Sequence, residues 1–370
     1  MSADTPLRIL LTVDAVGGVW QYGLELARAL SQHGASSVIA CLGPAPSPVQ
    51  RAEVATVPSS TFIDTGLPLD WLSDGPEQIR AAGAEIARIA AAQRVDIAQL
   101  NMPTLAAAHF AMPVVAVAHG CVSTWWESAR PGEPLDPMFG WLHALTAEAL
   151  RKADLVVAPT AAYAAAVGRC YSLPEQPSVV HNGRHPVEGG AAAMHDCAIT
   201  VGRLWDRAKN AELLDRVAGR LPFPFHAAGM TVGPHGEAVI LRHLNPLGQL
   251  GAEALNAQLA ARPVFVSAAS FEPFGLAVLE AAQAGCALVL SDTPSFRELW
   301  DGAAEFVPTF DESAYSDAIR TIIGDATLRQ RLGEAARERA GRYTPSATAA
   351  GMLNLFRGLL ARRTDKRVAA

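Results

Sequence analysis

Apolar runs of strand length alternate with helical segments almost from end to end of the chain. That alternation restricts it to a mostly parallel, doubly wound α/β architecture, because each parallel strand has to be reached by a crossover helix. Strands are expected over residues 8–13, 36–42, 61–64, 95–100, 113–118, 155–158 and 178–181, with helices over 19–33, 78–93, 141–152 and 161–170 between them. The pattern lapses in HNGRHPVEGGAAAMHD, which has no periodicity and reads as a linker. It restarts with strands at 198–201, 223–228, 239–242, 263–266 and 286–290 and helices at 208–220, 251–261, 275–284, 312–324 and 327–340. At 370 residues the chain is long enough for two domains, each with its own core. The expected division is residues 1–185, a linker at 186–196, a second Rossmann-like domain at 197–343 and a C-terminal helix with a basic tail at 344–370.

The most informative stretch is PVFVSAASFEPFGLAVLEAAQAGCALVL, residues 263–290, which reads as strand, loop, helix and returning strand. In such a unit the helix begins at the carboxyl edge of the sheet, where free N–H groups and the helix dipole attract phosphate. Glu272 lies in the loop before that helix, and Glu280 lies on the helix about 7 Å further along its axis. A long, two-ended ligand would suit such a pair. Taken alone, the two glutamates fit equally a first-turn charge and a solvated helix residue.

Upstream, VGRLWDRAKN places Arg203 and Lys209 around a second helix start. Only three of the 30 basic residues are lysine, so Lys209 is a rare compact point charge, of the kind that suits a phosphate, with Arg203 as a planar fork. Two cations and the Gly275 helix end at one sheet edge would hold a diphosphate; separately, both cations read as ordinary surface charge. In the first half, Asp14, Gly17 and Gly18 form a turn after the first strand, where glycine lets backbone approach a ligand. The G-x-G-x-x-G spacing is absent, which argues against a dinucleotide enzyme. His119 sits at the carboxyl end of PVVAVA, where open α/β sheets place their sites. Trp125 and Trp126 either form a sugar-stacking platform or belong to the core. No metal-ligand spacing, esterase elbow or Walker loop appears, so neither a metal nor a cofactor is expected.

Charged residues make up 18% of the chain and the net charge is −6, which gives no electrostatic reason to expect nucleic acid. Five scattered cysteines, no apolar run of membrane-spanning length and no signal-peptide layout lead to the expectation of a soluble, cytoplasmic protein. The final helix carries Met352, Leu353, Phe356, Leu359 and Leu360 on one side, and Arg357, Arg362, Arg363, Lys366 and Arg367 towards its end. Either it packs this stripe on a domain, which is the expectation, or it lies on an anionic membrane.

The sequence resembles the retaining glycosyltransferases of family 4, which have two facing Rossmann-like domains, the GT-B fold. FEPFGLAVLEAAQAG matches the family's Glu-x7-Glu motif, supported in order by GGVWQYGLELARAL, AHG, VVHNG and VGRLWDRAKN. The resemblance implies that Glu272 contacts the donor sugar, Glu280 the nucleotide ribose, and Arg203 and Lys209 the diphosphate. Phe274, Gly275 and Leu276 match the backbone segment over phosphates and sugar, and His119 the histidine near the transferred sugar. Gly17 and Gly18 match the flexible loop at the acceptor, where Asp14 fits an acceptor-side aspartate. Catalytic roles then fall to Glu272, His119, Arg203 and Lys209, donor binding also to Gly18, and acceptor binding to Asp14, Gly17, Trp125 and Trp126. Ala268 and Ala269 depart from the family's usual Pro-Ser, which affects loop shape and no charged role.

The implied reaction transfers a sugar from a nucleoside diphosphate sugar, a UDP-sugar before GDP-mannose, to an acceptor hydroxyl with retention. It needs no metal, and it implies surface polysaccharide or glycolipid synthesis with possible peripheral contact at the inner face of the membrane. A nucleotide-sugar epimerase or hydrolase, or a non-catalytic nucleotide-sugar-binding protein, shares the same architecture.

Overall fold

β1 (Arg8–Asp14) is buried from Ile9 to Val13, and its apolar residues alternate between the two faces of a parallel sheet covered by helices on both sides. The structure, a computed structural model, describes residues 6–186 and 193–368, with side chains as far as Arg363. After β1 come α1 (Gly18–Gln32), β2 (Ser36–Leu42), α2 (Pro48–Ala55), β3 (Ser60–Asp64), α3 (Pro76–Ala92) and β4 (Ile97–Leu100). Then follow β5 (Val114–Val117), α4 (Val122–Ala129), α5 (Gly140–Lys152), β6 (Leu155–Ala158), α6 (Ala161–Cys170) and β7 (Ser178–Val179). These seven strands pair in parallel in the order β3-β2-β1-β4-β5-β6-β7. The order reverses between β1 and β4, and that is where a doubly wound sheet opens a crevice at its carboxyl edge.

The second sheet repeats the plan. It comprises β8 (Ala198–Val201), α7 (Ala211–Ala218), β9 (Phe225–Ala228), β10 (Asn245–Gly248), α8 (Ala252–Ala260), β11 (Val264–Ser267), α9 (Leu276–Ala284) and β12 (Leu288–Ser291). It continues with α10 (Pro294–Trp300), β13 (Glu305–Val307), α11 (Glu312–Gly324) and α12 (Ala326–Ala340). The parallel order is β10-β9-β8-β11-β12-β13, with its reversal between β8 and β11.

The chain divides into one unit of Met1–Glu127, Gly132–Gly183 and Pro345–Ala370, and another of Ser128–Pro131 and Arg184–Thr344. Of the linker expected at 186–196, residues 186 and 193–196 fall in the second unit and residues 187–192 lie outside the described residues. The last helix, α13 (Pro345–Val368), returns to the first unit. Its Met352, Leu353, Phe356 and Leu359 are buried in one cluster with Leu24 and Leu30 of α1 and Ile9 and Leu11 of β1. Packing therefore takes up the apolar stripe that a membrane surface would have needed. Arg363 donates to the Ala111 carbonyl at 2.9 Å, while the side chains of Lys366 and Arg367 lie outside the described residues.

Three expectations are corrected. The strand placed at 239–242 is irregular chain after a short hairpin, Val232 bridging Ala238; the strand there is β10, whose NPLG sequence reads as a turn. Its place at the sheet edge is what tolerates Pro246. The helix expected at 208–220 starts only at Ala211, because Arg207–Lys209 is a 3₁₀ turn and Asn210 is left-handed at φ 51°. Finally, α2, α4, α10 and β13 were not anticipated, being too short for periodicity to declare them.

Candidate functional site

The loops after β8 and β11 meet at the reversal point of the second sheet. Asn210 Nδ2 donates to the Ala268 carbonyl at 2.6 Å, and the Ser270 amide donates to the Ala208 carbonyl at 2.8 Å, which fastens one loop to the other. Each loop brings one charged group to the seam, and Lys209 Nζ is hydrogen-bonded to Glu272 Oε2. Both side chains are mostly buried, 17% and 21% exposed, in a cleft lined also by Thr200, Gly202, Ser267 and Val278. Gly275 ends the second loop at φ +90°, a backbone conformation that leaves glycine as the residue of choice. From it α9 runs away from the cleft, with the first N–H groups of the helix at its opening.

Glu280 lies on α9, where its carboxylate accepts from Arg184 Nη2 at 2.6 Å. Arg184 is itself anchored: its amide donates to the Tyr343 carbonyl at 3.2 Å and its carbonyl accepts from Gln283 Nε2 at 2.8 Å. Arg203 does not join Lys209. Its guanidinium donates to Asp206 Oδ2 at 3.0 Å and lies over the Trp205 ring at 5.7 Å. The Phe274 ring is core, edge-on to Tyr343 at 5.6 Å between centroids, so this residue reaches the cleft only through its backbone. Leu276, half-buried, packs against the same cluster.

In the first unit the reversal point gathers a different set. Asp14 Oδ1 accepts from the Val16 and Gly17 amides at 3.0 and 3.1 Å, so its carboxylate shapes the loop that leads into α1. Gly17 has extended backbone at φ −144°, and a Cβ placed on it would meet nothing within 4 Å. The fold itself does not require glycine there. Gly18 is the first residue of α1. His119 follows β5, with its Nε2 3.1 Å from Asn101 Oδ1 and its ring edge-on to Tyr22 at 4.5 Å. Burial without a neighbouring charge pushes its pKa down to about 4, which keeps the imidazole neutral in the physiological range.

Trp125 and Trp126 do not make an open platform. Trp126 is 8% exposed, packs against Phe139 at 5.8 Å and donates Nε1–H to the Glu133 carbonyl at 3.3 Å. Trp125 meets it edge-on, at an interplanar angle of 65°. Both lie on α4, where neighbouring positions point apart and two rings cannot share one exposed face.

Two family models match the chain, Glycosyltransferase Family 4 over residues 16–187 and Glycosyl transferases group 1 over residues 237–339. The chain belongs to the family-4 type of glycosyltransferase. Phosphatidyl-myo-inositol mannosyltransferases of Mycobacterium leprae and Mycolicibacterium smegmatis are 30% and 32% identical to it over 120 and 117 residues. Those alignments cover 32% and 31% of this chain and 32% and 30% of the relatives, so the chain spans about a third of the length of the curated proteins it matches. Among solved structures, the sucrose-phosphate synthase of Thermosynechococcus elongatus superposes with a TM-score of 0.75 at 17% identity, over 97% of this chain and 100% of that one. The Anabaena HepE protein, solved in complex with UDP-glucose, gives 0.73 at 15% identity, over 95% of this chain and 100% of its own. The two Rossmann-like units are thus those of the GT-B fold.

In this family-4 chain, sequence reasoning singled out Lys209, Glu272, Gly275 and Glu280, of which the fold pairs Lys209 with Glu272, and it passed over the residues that place them. Asn210 and Asp206 pin the first loop, Asp206 Oδ1 accepting from the Ala208 amide at 3.0 Å, and Arg184 holds Glu280. Arg184 lay unremarked in the aperiodic stretch HNGRHPVEGGAAAMHD. Asn101 and Gln99 were likewise missed, although a glutamine inside the apolar run IAQL was a visible irregularity.

Proposed function

We propose that the protein is a retaining glycosyltransferase that moves a sugar from a nucleoside diphosphate sugar to an acceptor hydroxyl. The observation that carries this is the meeting of Lys209, Glu272 and the start of α9 at the reversal point of the second sheet, within a family-4 chain. A diphosphate arriving at that edge would find the lysine charge and the helix N–H groups, and Glu272 would be left to accept hydroxyl hydrogens from the sugar. Glu280, on α9, is assigned the ribose hydroxyls. Arg203 would join the diphosphate by turning away from Asp206: 56% of the arginine side chain is in solvent, while the buried Asp206 carboxylate keeps its bond from the Ala208 amide.

In the transfer, the bond between the anomeric carbon and the phosphate oxygen breaks while the acceptor oxygen bonds to the same face. The acceptor proton goes to the departing phosphate, and the cations stabilise the charge that develops there. We assign metal-independent catalysis on that basis. Gly17 and Gly18 are assigned to the acceptor, since the missing side chain at Gly17 serves no fold requirement. By likeness to the mannosyltransferases above, a glycolipid or a surface polysaccharide is the acceptor class, with the enzyme working at the inner face of the membrane. Among the described residues no helix is long and apolar enough to cross a membrane.

Thermal unfolding with UDP, GDP and ADP tests the donor site. The cognate nucleotide at 100 times its Kd stabilises by about 2.7 kcal/mol, and that gain should be largely absent in Lys209→Ala. No stabilisation by any of the three refutes the assignment. Labelled donor incubated without acceptor then separates transfer from epimerisation, which would yield an isomeric sugar nucleotide.

A further inference from the structure

A buried amide chain crosses the carboxyl edge of the first sheet. Asn101, 7% exposed and just past β4, is held from both sides by Thr12 of β1: its amide donates to Thr12 Oγ1 at 2.8 Å, and its Nδ2 donates to the Thr12 carbonyl at 2.7 Å. A carbonyl only accepts, so this bond settles which end of the Asn101 amide is oxygen. Oδ1 therefore faces the other way, where it accepts from Gln99 Nε2 at 3.0 Å and stands 3.1 Å from His119 Nε2. Gln99, fully buried, also donates to the Tyr22 hydroxyl at 3.2 Å. An amide oxygen cannot donate, so His119 must carry its proton on Nε2. Its Nδ1 keeps the lone pair and has no partner among the described residues. This arrangement costs stability, because Gln99 Oε1 is buried without a partner. Leucine at Gln99 would suit a parallel-sheet core better.

We propose that Asn101 is a positioning residue that locks His119 as the Nε2–H tautomer, so that Nδ1 acts as a fixed hydrogen-bond acceptor for a substrate hydroxyl. The assignment rests on the glycosyl-transfer reading for the nature of the substrate, and on geometry alone for the tautomer. It excludes His119 as a proton donor to the leaving group, since its only proton is held by Asn101. The described neighbours of the ring are Tyr22 from α1 and Asn101, and no charged group stands against it.

Imidazole ¹⁵N spectra of the full chain test the tautomer directly. His119 is expected as neutral Nε2–H from pH 8 to below pH 5; an Nδ1–H ring, or titration at the ordinary 6.5, overturns the proposal. In Asn101→Asp a carboxylate replaces the accepting oxygen and stabilises the imidazolium. The His119 titration should move up towards neutrality, and release of nucleoside diphosphate from UDP-glucose or GDP-mannose should fall about tenfold between pH 8 and pH 6, with donor affinity unchanged. A loss of release equal at both pH values would mean that Asn101 only supports the fold. Thr12→Val is the milder second variant: it removes only the Oγ1 that accepts from the Asn101 main-chain amide and keeps the Thr12 carbonyl that orients the side-chain amide, so the ring should stay Nε2–H, whereas an Nδ1–H or mixed ring there counts against the lock. Failure of the glycosyl-transfer reading is seen separately, as absence of nucleotide binding by the Lys209 site with the His119 spectra still as expected.

Discussion

Replacing Glu272 by glutamine should tighten the binding of a bare nucleoside diphosphate while abolishing sugar transfer. Lys209 is paired with Glu272, so a diphosphate has to take the lysine from the carboxylate. The two side chains are 17% and 21% exposed, which puts the pair at the upper end of what partly solvated ion pairs contribute, about 1 kcal/mol. Removing the charge at residue 272 releases that energy to the incoming ligand, and at 1.4 kcal/mol per decade the gain is about fivefold in Kd. Lys209→Ala should have the opposite effect, weakening the diphosphate by about 10²-fold, or about 2.8 kcal/mol, as expected for a lost charge-stabilising donor. Calorimetric titration of UDP and GDP into the wild type, both single variants and the double variant measures all four corners. The double variant should bind like Lys209→Ala alone, because without the lysine there is no competition to relieve. If Glu272→Gln instead weakens the bare diphosphate as much as Lys209→Ala does, the pair is one structural unit, and the exchange of Lys209 between carboxylate and phosphate is refuted.

Other expectations follow from single contacts. Asp215, 6% exposed, accepts from the Arg242, His243 and Leu244 amides at 2.9 Å each, so Asp215→Ala should cost about 3 kcal/mol or more in urea unfolding; a change under about 1 kcal/mol would mean that the 242–244 segment simply rearranges. Phe356→Ala should lose about 3–5 kcal/mol because the ring is fully buried between α13, α1 and β1, and a near-normal melting temperature would show that α13 contributes little to the first unit. Gly17→Ala should leave stability within about 0.5 kcal/mol of wild type and still reduce transfer, whereas unaltered transfer would remove Gly17 from the acceptor site. His119 has a folded pKa of about 4, below the ordinary 6.5, so the unfolded chain binds the proton first. Its contribution is therefore complete above pH 6.5 and is lost as the pH falls towards 4, and urea titrations at pH 7 and pH 5 should show less acid sensitivity in His119→Phe than in the wild type.

Much of the architecture could be read from local chemistry. Alternating apolar strands and amphipathic helices imply a parallel sheet covered by helices, since a strand such as VVAV in β5 has to be buried on both faces. The glutamate spacing across the start of α9 was equally visible, because it depends only on one loop and one helix. Contacts between residues far apart in sequence were not. Nothing in NPLG announces a strand; the sheet edge beside β9 made it one. Neither Trp125-Trp126 nor the final apolar stripe says what it packs against, and tertiary packing spent Trp126 on Phe139 and Phe356 on the α1 cluster. The site shows the same division. Residue type supplied Lys209, Glu272, Glu280 and His119, whereas Arg184 became the partner of Glu280, and Asn101 that of His119, only once segments about 96 and 18 residues apart were folded together. Hydrogen bonds depend on where donors and acceptors come to rest, and over such separations the sheet order sets those positions, while periodicity along the chain does not.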